Sequence, residues 1–236
     1  MGKLEETLYQ KIKSGMSAWD EEGIYAVSFF VYANMAFHYR DYWNVPSFAI
    51  SYNTEDDCKG AGRHSEERWN YAFWRQDETP ILEPEDNSAE MKLLFDWYEE
   101  LGLENIGEQD ELHPDPVGYP ELVALIARVA RRFQEEGFLK AKFGHSIPII
   151  IHDLEYVDCI WEATSYANPN GEAADFLERK WQSIESCLPI CMPISATPAL
   201  ARDILLDEAK LKKLLAASPC LSEEYLKDML KQIGKL

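Results

Sequence analysis

The sequence predicts an α+β fold, with helices packed on a mainly antiparallel sheet of four or more strands. Short segments rich in aromatic and β-branched residues, which favour strands, come early in the chain. Segments with apolar residues at helical spacing dominate the later part. Since the connections between the early segments are short, consecutive strands are expected to pair antiparallel. Hydrophobic residues make up 46% of the 236 residues, which is enough for a sizeable core.

Four segments carry a strand pattern. Residues 24–35 form a long run of aromatic and β-branched residues, and residues 48–52 alternate between large apolar and small side chains. Aromatic residues alternate in the same way along 69–74, which predicts a third strand. The apolar run 147–151 suits a buried strand. Between the first two strands, residues 40–44 are expected to form a turn.

Helices are predicted where apolar residues recur every three or four positions. Asn87 starts a capping box with Glu90, and Pro120 suits the first turn of a helix. Gly102 and Gly137 supply the left-handed residue that commonly ends a helix. The predicted helices cover residues 4–19, 88–101, 120–136, 176–184, 197–216 and 222–233.

The chain is expected to form one α+β core domain, residues 1–190, and a C-terminal helical extension, residues 191–236, that packs on the core. The segment CLPICMPISATP, residues 187–198, is the predicted boundary. The sequence shows no internal repeat, low-complexity tract or flexible linker between the two.

Cysteine usage and the N-terminus indicate the compartment. The five cysteines form an odd set without a CxxC pair. The N-terminal segment MGKLEETLYQ has no apolar signal region, and no apolar run approaches the roughly 20 residues of a membrane span. We therefore predict a cytoplasmic protein with free thiols.

Acidic residues are concentrated in one segment. The formal net charge is -19, and residues 77–121 contain fifteen Asp and Glu against a single Lys, a net charge of -14. A chain this acidic is repelled by nucleic acid and by anionic membrane surfaces, so neither is an expected partner. The segment is either a solvated face that keeps the protein soluble or a docking surface for a basic protein. In the second interpretation the candidate binding residues are Glu99, Glu100, Glu104, Asp110 and Glu111.

The aromatic segment 69–74 has two interpretations. Trp69 and Trp74 fill a sheet–helix interface, since an aromatic strand packs well there. Alternatively, one of them is exposed as the anchor of a protein interface, flanked by Arg68 and Arg75.

A polar cluster follows the apolar strand 147–151. His152, Asp153 and Glu155 could supply metal ligands or an acid/base pair, which would make the protein a small metal-dependent hydrolase. However, a strand points His152 and Asp153 to opposite faces, and no second cluster at ligand spacing is present. The other interpretation is a strand end whose polar groups are satisfied locally.

Other motifs give weak signals. The loop at Gly60 and Gly62 lacks the spacing of the phosphate-binding motifs, and the acidic residues 55–57 lack that of a calcium loop. No Cys or Ser stands in a recognisable nucleophile motif, so catalysis is not the leading hypothesis. We predict no cofactor.

Four stretches of the sequence carry a family resemblance. They are IYAVSFFVYANM (24–35), FAISYNTEDD (48–57), RWNYAFW (68–74) and the late region IIIHDLEY…ANPNGEAADFLE (149–178). Together they extend over about two thirds of the chain and resemble a bacterial family known only as domain of unknown function 4303. That family has no established catalytic residues to carry over. Its members are similar in size, acidity and bacterial setting to immunity proteins, which neutralise secreted or contact-delivered toxins.

These observations lead to one main hypothesis. The protein is a non-catalytic, cytoplasmic bacterial protein that binds a basic protein partner, such as an immunity protein bound to a basic toxin. Its acidic surface would steer the partner, and exposed aromatic residues would anchor it. The alternatives are the metal-dependent hydrolase and a self-associating domain without another partner. The sequence leaves the oligomeric state open.

Overall fold

The computed structural model describes residues 2–33, 38–58, 60–84, 88–109, 115–154, 158–178, 202, 204–217, 223, 227 and 230–231. The chain divides into two compact units, Met1–Phe176 and Leu177–Leu236. The predicted boundary segment 187–198 lies outside the described residues.

A four-stranded mixed sheet forms the centre of the first unit, which confirms the α+β class. The strand order is β5-β4-β1-β6; β1 pairs antiparallel with β4, and β4 with β5, whereas β6 runs parallel to β1. A separate hairpin of two short strands connects β1 to β4. The strands are β1 (Ile24–Ala33), β2 (His38–Tyr39), β3 (Tyr42–Trp43), β4 (Pro46–Thr54), β5 (Thr79–Leu82) and β6 (Ile149–His152).

Three helices of the first unit match the predicted apolar stripes of residues 4–19, 88–101 and 120–136, whereas the sequence does not predict the helix Asp158–Ala167. Gly102 and Gly137 have positive φ angles of 72° and 69°, as predicted for residues that end a helix. The cap of the third helix is Ser88, whose hydroxyl accepts a hydrogen bond from the Met91 amide, and not Asn87, which lies outside the described residues. The helices of the first unit are α1 (Lys3–Ser17), α2 (Glu66–Trp69), α3 (Ala89–Glu100), α4 (Tyr119–Glu135), α5 (Phe138–Phe143) and α6 (Asp158–Ala167).

The two faces of the sheet differ in character. Side chains alternate along each strand, so Val27, Phe29 and Val31 share one face. This first face belongs to the main hydrophobic core together with the apolar stripes of α1 and α4. Gly15 of α1 approaches β4 so closely that a Cβ there would lie 3.0 Å from the Ile50 side chain. We call the opposite face, which carries Ser28 and Phe30 of β1, the second face.

The predicted third strand at 69–74 is wrong. The segment forms the one-turn helix α2 and a 3₁₀ turn, Tyr71–Phe73, which the Asn70 side chain caps by accepting a hydrogen bond from the Ala72 amide. The third antiparallel strand is instead β5, which follows this segment. Its Pro80 is tolerated because β5 lies at the edge of the sheet.

In the second unit, the structure describes one complete helix, α7 (Glu208–Ala217). The Asp207 carboxylate caps it by accepting hydrogen bonds from the amides of Ala209 and Lys210, at 3.0 and 3.2 Å. This helix matches the later part of the predicted helix 197–216, but the prediction of one continuous helix is wrong, because Asp207 interrupts it and begins α7. The predicted start lies outside the described residues. Across the described part of the chain, no helix combines the length and the apolar character needed to cross a membrane.

Candidate functional site

His152, at the end of β6, is buried in the second face, with 1% of its surface exposed. Its Nε2 atom lies 2.7 Å from Oγ of Ser28, and its ring packs against Phe30 and Tyr71 at centroid distances of 5.3 and 4.6 Å. Burial lowers the pKa of the imidazole to about 4, because a charged ring here would lose its hydration. His152 is therefore uncharged at neutral pH.

Ser28 and His152 have the spacing of a nucleophile and its base. Ser28, however, is fully buried as well, so a substrate does not reach the pair in this structure. The contact gives the Ser28 hydroxyl and the His152 ring a hydrogen-bond partner inside an aromatic layer, which is a structural role. The sequence carried a signal for it: Ser28 is a polar residue in the middle of an otherwise apolar strand.

Asp153 makes a different set of contacts. Its carboxylate accepts a hydrogen bond of 2.6 Å from the hydroxyl of Tyr119, at the start of α4. Burial raises the pKa of the nearby Asp115 carboxyl, and the charge of Asp153 raises it further. The side chains of His152 and Asp153 thus contact different residues, Ser28 and Tyr119. This confirms the prediction that the strand points them to opposite faces.

The predicted metal cluster finds no support in the described part of the chain. There, no group of three His, Cys, Asp or Glu side chains is arranged to hold a metal ion. Glu155, the third member of the predicted cluster, lies outside the described residues.

Trp69 and Trp74 form a cap over the second face, together with Tyr71. Both tryptophans are about 95% buried, and their rings meet that of Tyr25 edge to face at 5.8 and 6.1 Å. The indole N–H of Trp69 donates to the Arg63 carbonyl at 2.6 Å, and that of Trp74 donates to another carbonyl of the same segment at 3.1 Å. The interpretation of either as an exposed anchor is therefore wrong, and the interpretation as core is right.

Two arginines tie this cap to the loop that follows β4. The guanidinium of Arg68 forms two hydrogen bonds to the Glu55 carboxylate, at 2.6 and 2.8 Å, and packs 4.0 Å from the centre of the Tyr25 ring. Arg75 pairs with Asp57 and Glu21, each at 2.7 Å. The loop carboxylates of Glu55 and Asp57 are thus paired with Arg68 and Arg75, and these ion pairs connect the cap to the loop.

The acidic candidates lie at the end of α3 and just beyond it. Glu99 and Glu100 occupy the last turn of α3, and Glu104 lies in the following loop; all three are exposed. Asp110 and Glu111 lie outside the described residues. Glu108, in the same loop, is also exposed.

The β2–β3 hairpin carries an exposed aromatic pair and packs on α3, the helix that ends with Glu99 and Glu100. Trp43 is 64% exposed and Tyr42 38% exposed. The hairpin is docked on α3, because the rings of Tyr39 and Tyr42 pack against Phe95 at 4.6 and 5.3 Å. The sequence prediction of a turn at residues 40–44 does not include this exposed tryptophan. The strand-forming aromatic residues Tyr39, Tyr42 and Trp43 on either side of Arg40-Asp41 are the only sequence signal for the hairpin.

Gly107 joins the acidic loop to the hairpin. Its φ angle is 84°, and a Cβ at this position would lie 1.8 Å from the carbonyl oxygen of Trp43. The Asn44 side-chain amide also donates to the Gly107 carbonyl at 3.4 Å. Only glycine allows this close approach, so the loop holding Glu104 and Glu108 is fixed against the hairpin.

No family model, curated protein or solved structure matches this chain. The resemblance to the domain of unknown function 4303 stays a prediction.

Proposed function

We propose that this protein binds a basic protein partner through the surface formed by Tyr42, Trp43, Glu99, Glu100, Glu104 and Glu108, which we call the hairpin surface. The observation that carries the proposal is the exposure of Trp43 on a docked hairpin. A large aromatic side chain that is exposed costs hydrophobic free energy, which burial in a partner recovers. Tryptophan is also among the residues most enriched at the energetic centres of protein interfaces.

The scaffold beneath Trp43 supports this role. The hairpin packs on α3 through Phe95, and the Gly107 loop packs on it from the acidic side. An anchor that is held in place before binding loses less conformational entropy when the complex forms.

The charge of the hairpin surface indicates the sign of the partner. Its four described glutamates lie in the segment with a net charge of -14. Negative charge around an aromatic anchor speeds the encounter with a positively charged protein and disfavours acidic ones. Within this class we favour a bacterial immunity protein that acts in the cytoplasm on a basic toxin, since the acidity and the family resemblance both point that way.

The test is affinity capture with the immobilised full-length protein from a lysate of the native host, at low and high salt. We expect a basic protein to be retained, most strongly at low salt. Trp43→Ala should abolish retention, since it removes the anchor without touching the core. Phe73→Ala is the matched control, because Phe73 is 54% exposed but lies on the cap segment.

Failure to retain any basic protein at either salt concentration would contradict the proposal. Equal retention by the Trp43→Ala variant would show that the partner uses another surface. The hydrolase alternative gains no support from the described residues, because His152 and Asp153 serve different neighbours.

A further inference from the structure

The two outer strands of the four-stranded sheet are covered in different ways. These strands are β5 and β6. The outer edge of a sheet carries backbone N–H and C=O groups without a neighbouring strand, and it can therefore pair with another chain. On β5, Pro80 has no N–H to offer, and the Ile81 carbonyl accepts a hydrogen bond of 2.9 Å from the Lys11 ammonium. On β6, two buried polar side chains cover the edge instead.

Thr164 of α6 takes the place of a neighbouring strand beside Ile151. Its hydroxyl accepts a hydrogen bond of 3.0 Å from the Ile151 amide and donates one of 2.9 Å to the Ile151 carbonyl. In an antiparallel sheet, two paired residues exchange the same two kinds of bond. A single hydroxyl, on a residue that is 0% exposed, thus satisfies both outward-facing backbone groups of Ile151.

Asn168, which directly follows α6, does the same for Ile149. Its side-chain oxygen accepts a hydrogen bond of 3.0 Å from the Ile149 amide, and its side-chain NH₂ donates one of 2.7 Å to the Ile149 carbonyl. Gln134 of α4 donates to the same oxygen at 2.9 Å and to the Ile147 carbonyl at 2.8 Å. Asn168 is buried, so these bonds are shielded from water.

The spacing of the two side chains matches the spacing of the strand. Four residues of an α-helix rise about 6 Å, and two residues of a strand rise about 6.6 Å. Thr164 and Asn168 therefore reach Ile151 and Ile149 from a helix that runs antiparallel to β6. The Asn168 side chain also donates to the Thr164 carbonyl at 2.8 Å, which fixes its orientation.

We propose that Thr164 and Asn168 block this edge, because they occupy the hydrogen-bonding positions of a further strand and so prevent β6 from pairing with β6 of a second copy of the chain. Symmetry indicates this occupant: two identical edges meet about a two-fold axis, which pairs them antiparallel. The segment Ile149–Ile151 is uncharged and β-branched, so it favours such a pair.

The block acts through backbone groups that have to be paired. Without either side chain, the N–H and C=O of one isoleucine are buried and unpaired, and any state that pairs them again is favoured. A strand from a second copy would pair them through main-chain hydrogen bonds. This inference goes beyond the proposed function and is independent of it, since the hairpin surface lies on β3 and around the end of α3.

The first test is hydrogen exchange of the backbone amides, followed by NMR on the full-length protein. The amides of Ile149 and Ile151 should exchange slowly in the wild type, although they lie at an edge. Thr164→Val keeps the shape of the side chain and removes the hydroxyl. It should speed exchange at Ile151 by about a hundredfold and leave Ile149 nearly unchanged, and Asn168→Leu should do the reverse.

Thr164→Ser is the matched control for this exchange experiment. It retains the hydroxyl and should therefore retain slow exchange at Ile151, although it loses a methyl group. Fast exchange of Ile149 and Ile151 in the wild type would overturn the inference. So would equal effects of Thr164→Val and Asn168→Leu on both amides, because each side chain bonds only one of the two residues in the structure.

The second test is sedimentation velocity at increasing protein concentration. The double variant Thr164→Val and Asn168→Leu should associate at least about tenfold more tightly than the wild type. Val129→Ala is the control, since Val129 is a buried apolar residue of α4 whose truncation lowers stability without freeing the edge. This control should associate no more than the wild type.

Two sedimentation results would overturn the inference. Association of the double variant no tighter than that of the wild type would show that the edge needs no block. Equal association of Val129→Ala would assign the effect to general loss of stability. If the double variant does not fold, the single variants decide the question, because each frees one isoleucine and should associate more tightly than Thr164→Ser.

Discussion

At the scale of single residues, His152 illustrates how burial sets chemistry. Its ring packs against Phe30, Tyr71 and Trp74, and its Nε2 atom lies 2.7 Å from Oγ of Ser28. In water a histidine has a pKa near 6.5, but burial lowers the pKa of this one to about 4. The difference makes folding of the chain sensitive to pH.

The direction of this effect follows from proton binding. Between pH 6.5 and pH 4 the unfolded chain protonates His152 while the folded chain does not, so acid favours the unfolded state. Above pH 6.5 the neutral ring makes its full contribution to the free energy of unfolding. About 3 kcal/mol of that free energy is lost as the pH falls to 4. Urea unfolding measured from pH 4 to 7 should show the decline.

The His152→Gln variant isolates this residue. It should be less stable at pH 7, because the aromatic contacts are lost, yet its stability should fall less between pH 6.5 and 4. His145→Gln is the control, since His145 is exposed, and it should follow the wild-type profile. Parallel profiles for the wild type and His152→Gln would show that His152 is charged or solvated in the folded protein.

The conformation of a single residue is predictable from the sequence where its nearest neighbours along the chain determine it. Gly102 was identified as a left-handed helix end from its place after an apolar stripe, and its φ angle is 72°. The divergence of His152 and Asp153 followed from strand geometry alone. The exposure of Trp43 could not be predicted in the same way, because it depends on how the hairpin docks against α3 and the Gly107 loop, far away in sequence.

At the scale of elements, the helices α1, α3 and α4 and the long strands β1 and β4 are predictable because their patterns are local. The segment 69–74 was misassigned for a physical reason. Alternating aromatic residues face one side of a strand, but a helical turn followed by an extended Asn70 and a 3₁₀ turn also directs Trp69, Tyr71 and Trp74 to one side. The parallel pairing of β6 with β1 depends on the long crossover through α3, α4 and α5, which no local pattern reports.

Gly107 provides a prediction about the hairpin as an element. A Cβ at this position would lie 1.8 Å from the Trp43 carbonyl oxygen, so Gly107→Ala has to displace the loop or the hairpin. We expect destabilisation of about 2–4 kcal/mol, from steric overlap added to the cost of a positive φ angle. Partner retention should fall together with it, because Trp43 moves. Urea unfolding and the capture assay measure the two effects.

The matched control for Gly107→Ala is Gly102→Ala. Gly102 has a similar φ angle of 72°, but a Cβ there meets no atom within 4 Å. This variant should cost only about 1 kcal/mol, from backbone strain alone, and should retain the partner. If both variants behaved alike, the contact between the acidic loop and the hairpin would not hold Trp43 in place.

At the scale of the whole molecule, the charge of -19 opposes the folded state. The 42 acidic residues exceed the 23 basic ones, so many carboxylates have no cation to pair with. Two of the described arginines pair with carboxylates outside the acidic segment 77–121: Arg75 pairs with Asp57, and Arg132 pairs with Glu136. Within the acidic segment 77–121, the described residues give Glu90 an ion pair with Lys11 at 3.6 Å, and the exposed carboxylates of Glu99, Glu100 and Glu104 repel one another.

This repulsion leads to a prediction that connects stability with binding. The triple variant Glu99→Gln, Glu100→Gln and Glu104→Gln should be more stable than the wild type at low salt, by on the order of 1 kcal/mol, since like charges are removed. The gain should shrink near physiological salt, where the screening length falls to about 8 Å. Glu136→Gln is the control and should be destabilising, because this carboxylate accepts hydrogen bonds from Tyr9 and Arg132.

The same triple variant should bind the basic partner more slowly. Loss of steering lowers the association rate on the order of tenfold at low salt, with a smaller effect on dissociation, because Trp43 remains as the anchor. Stopped-flow kinetics with the captured partner separates the two rates. A variant that is both more stable and slower to bind would show that the glutamates are kept for recognition at a cost in stability. A variant that gains stability and binds at the wild-type rate would assign them to solubility alone.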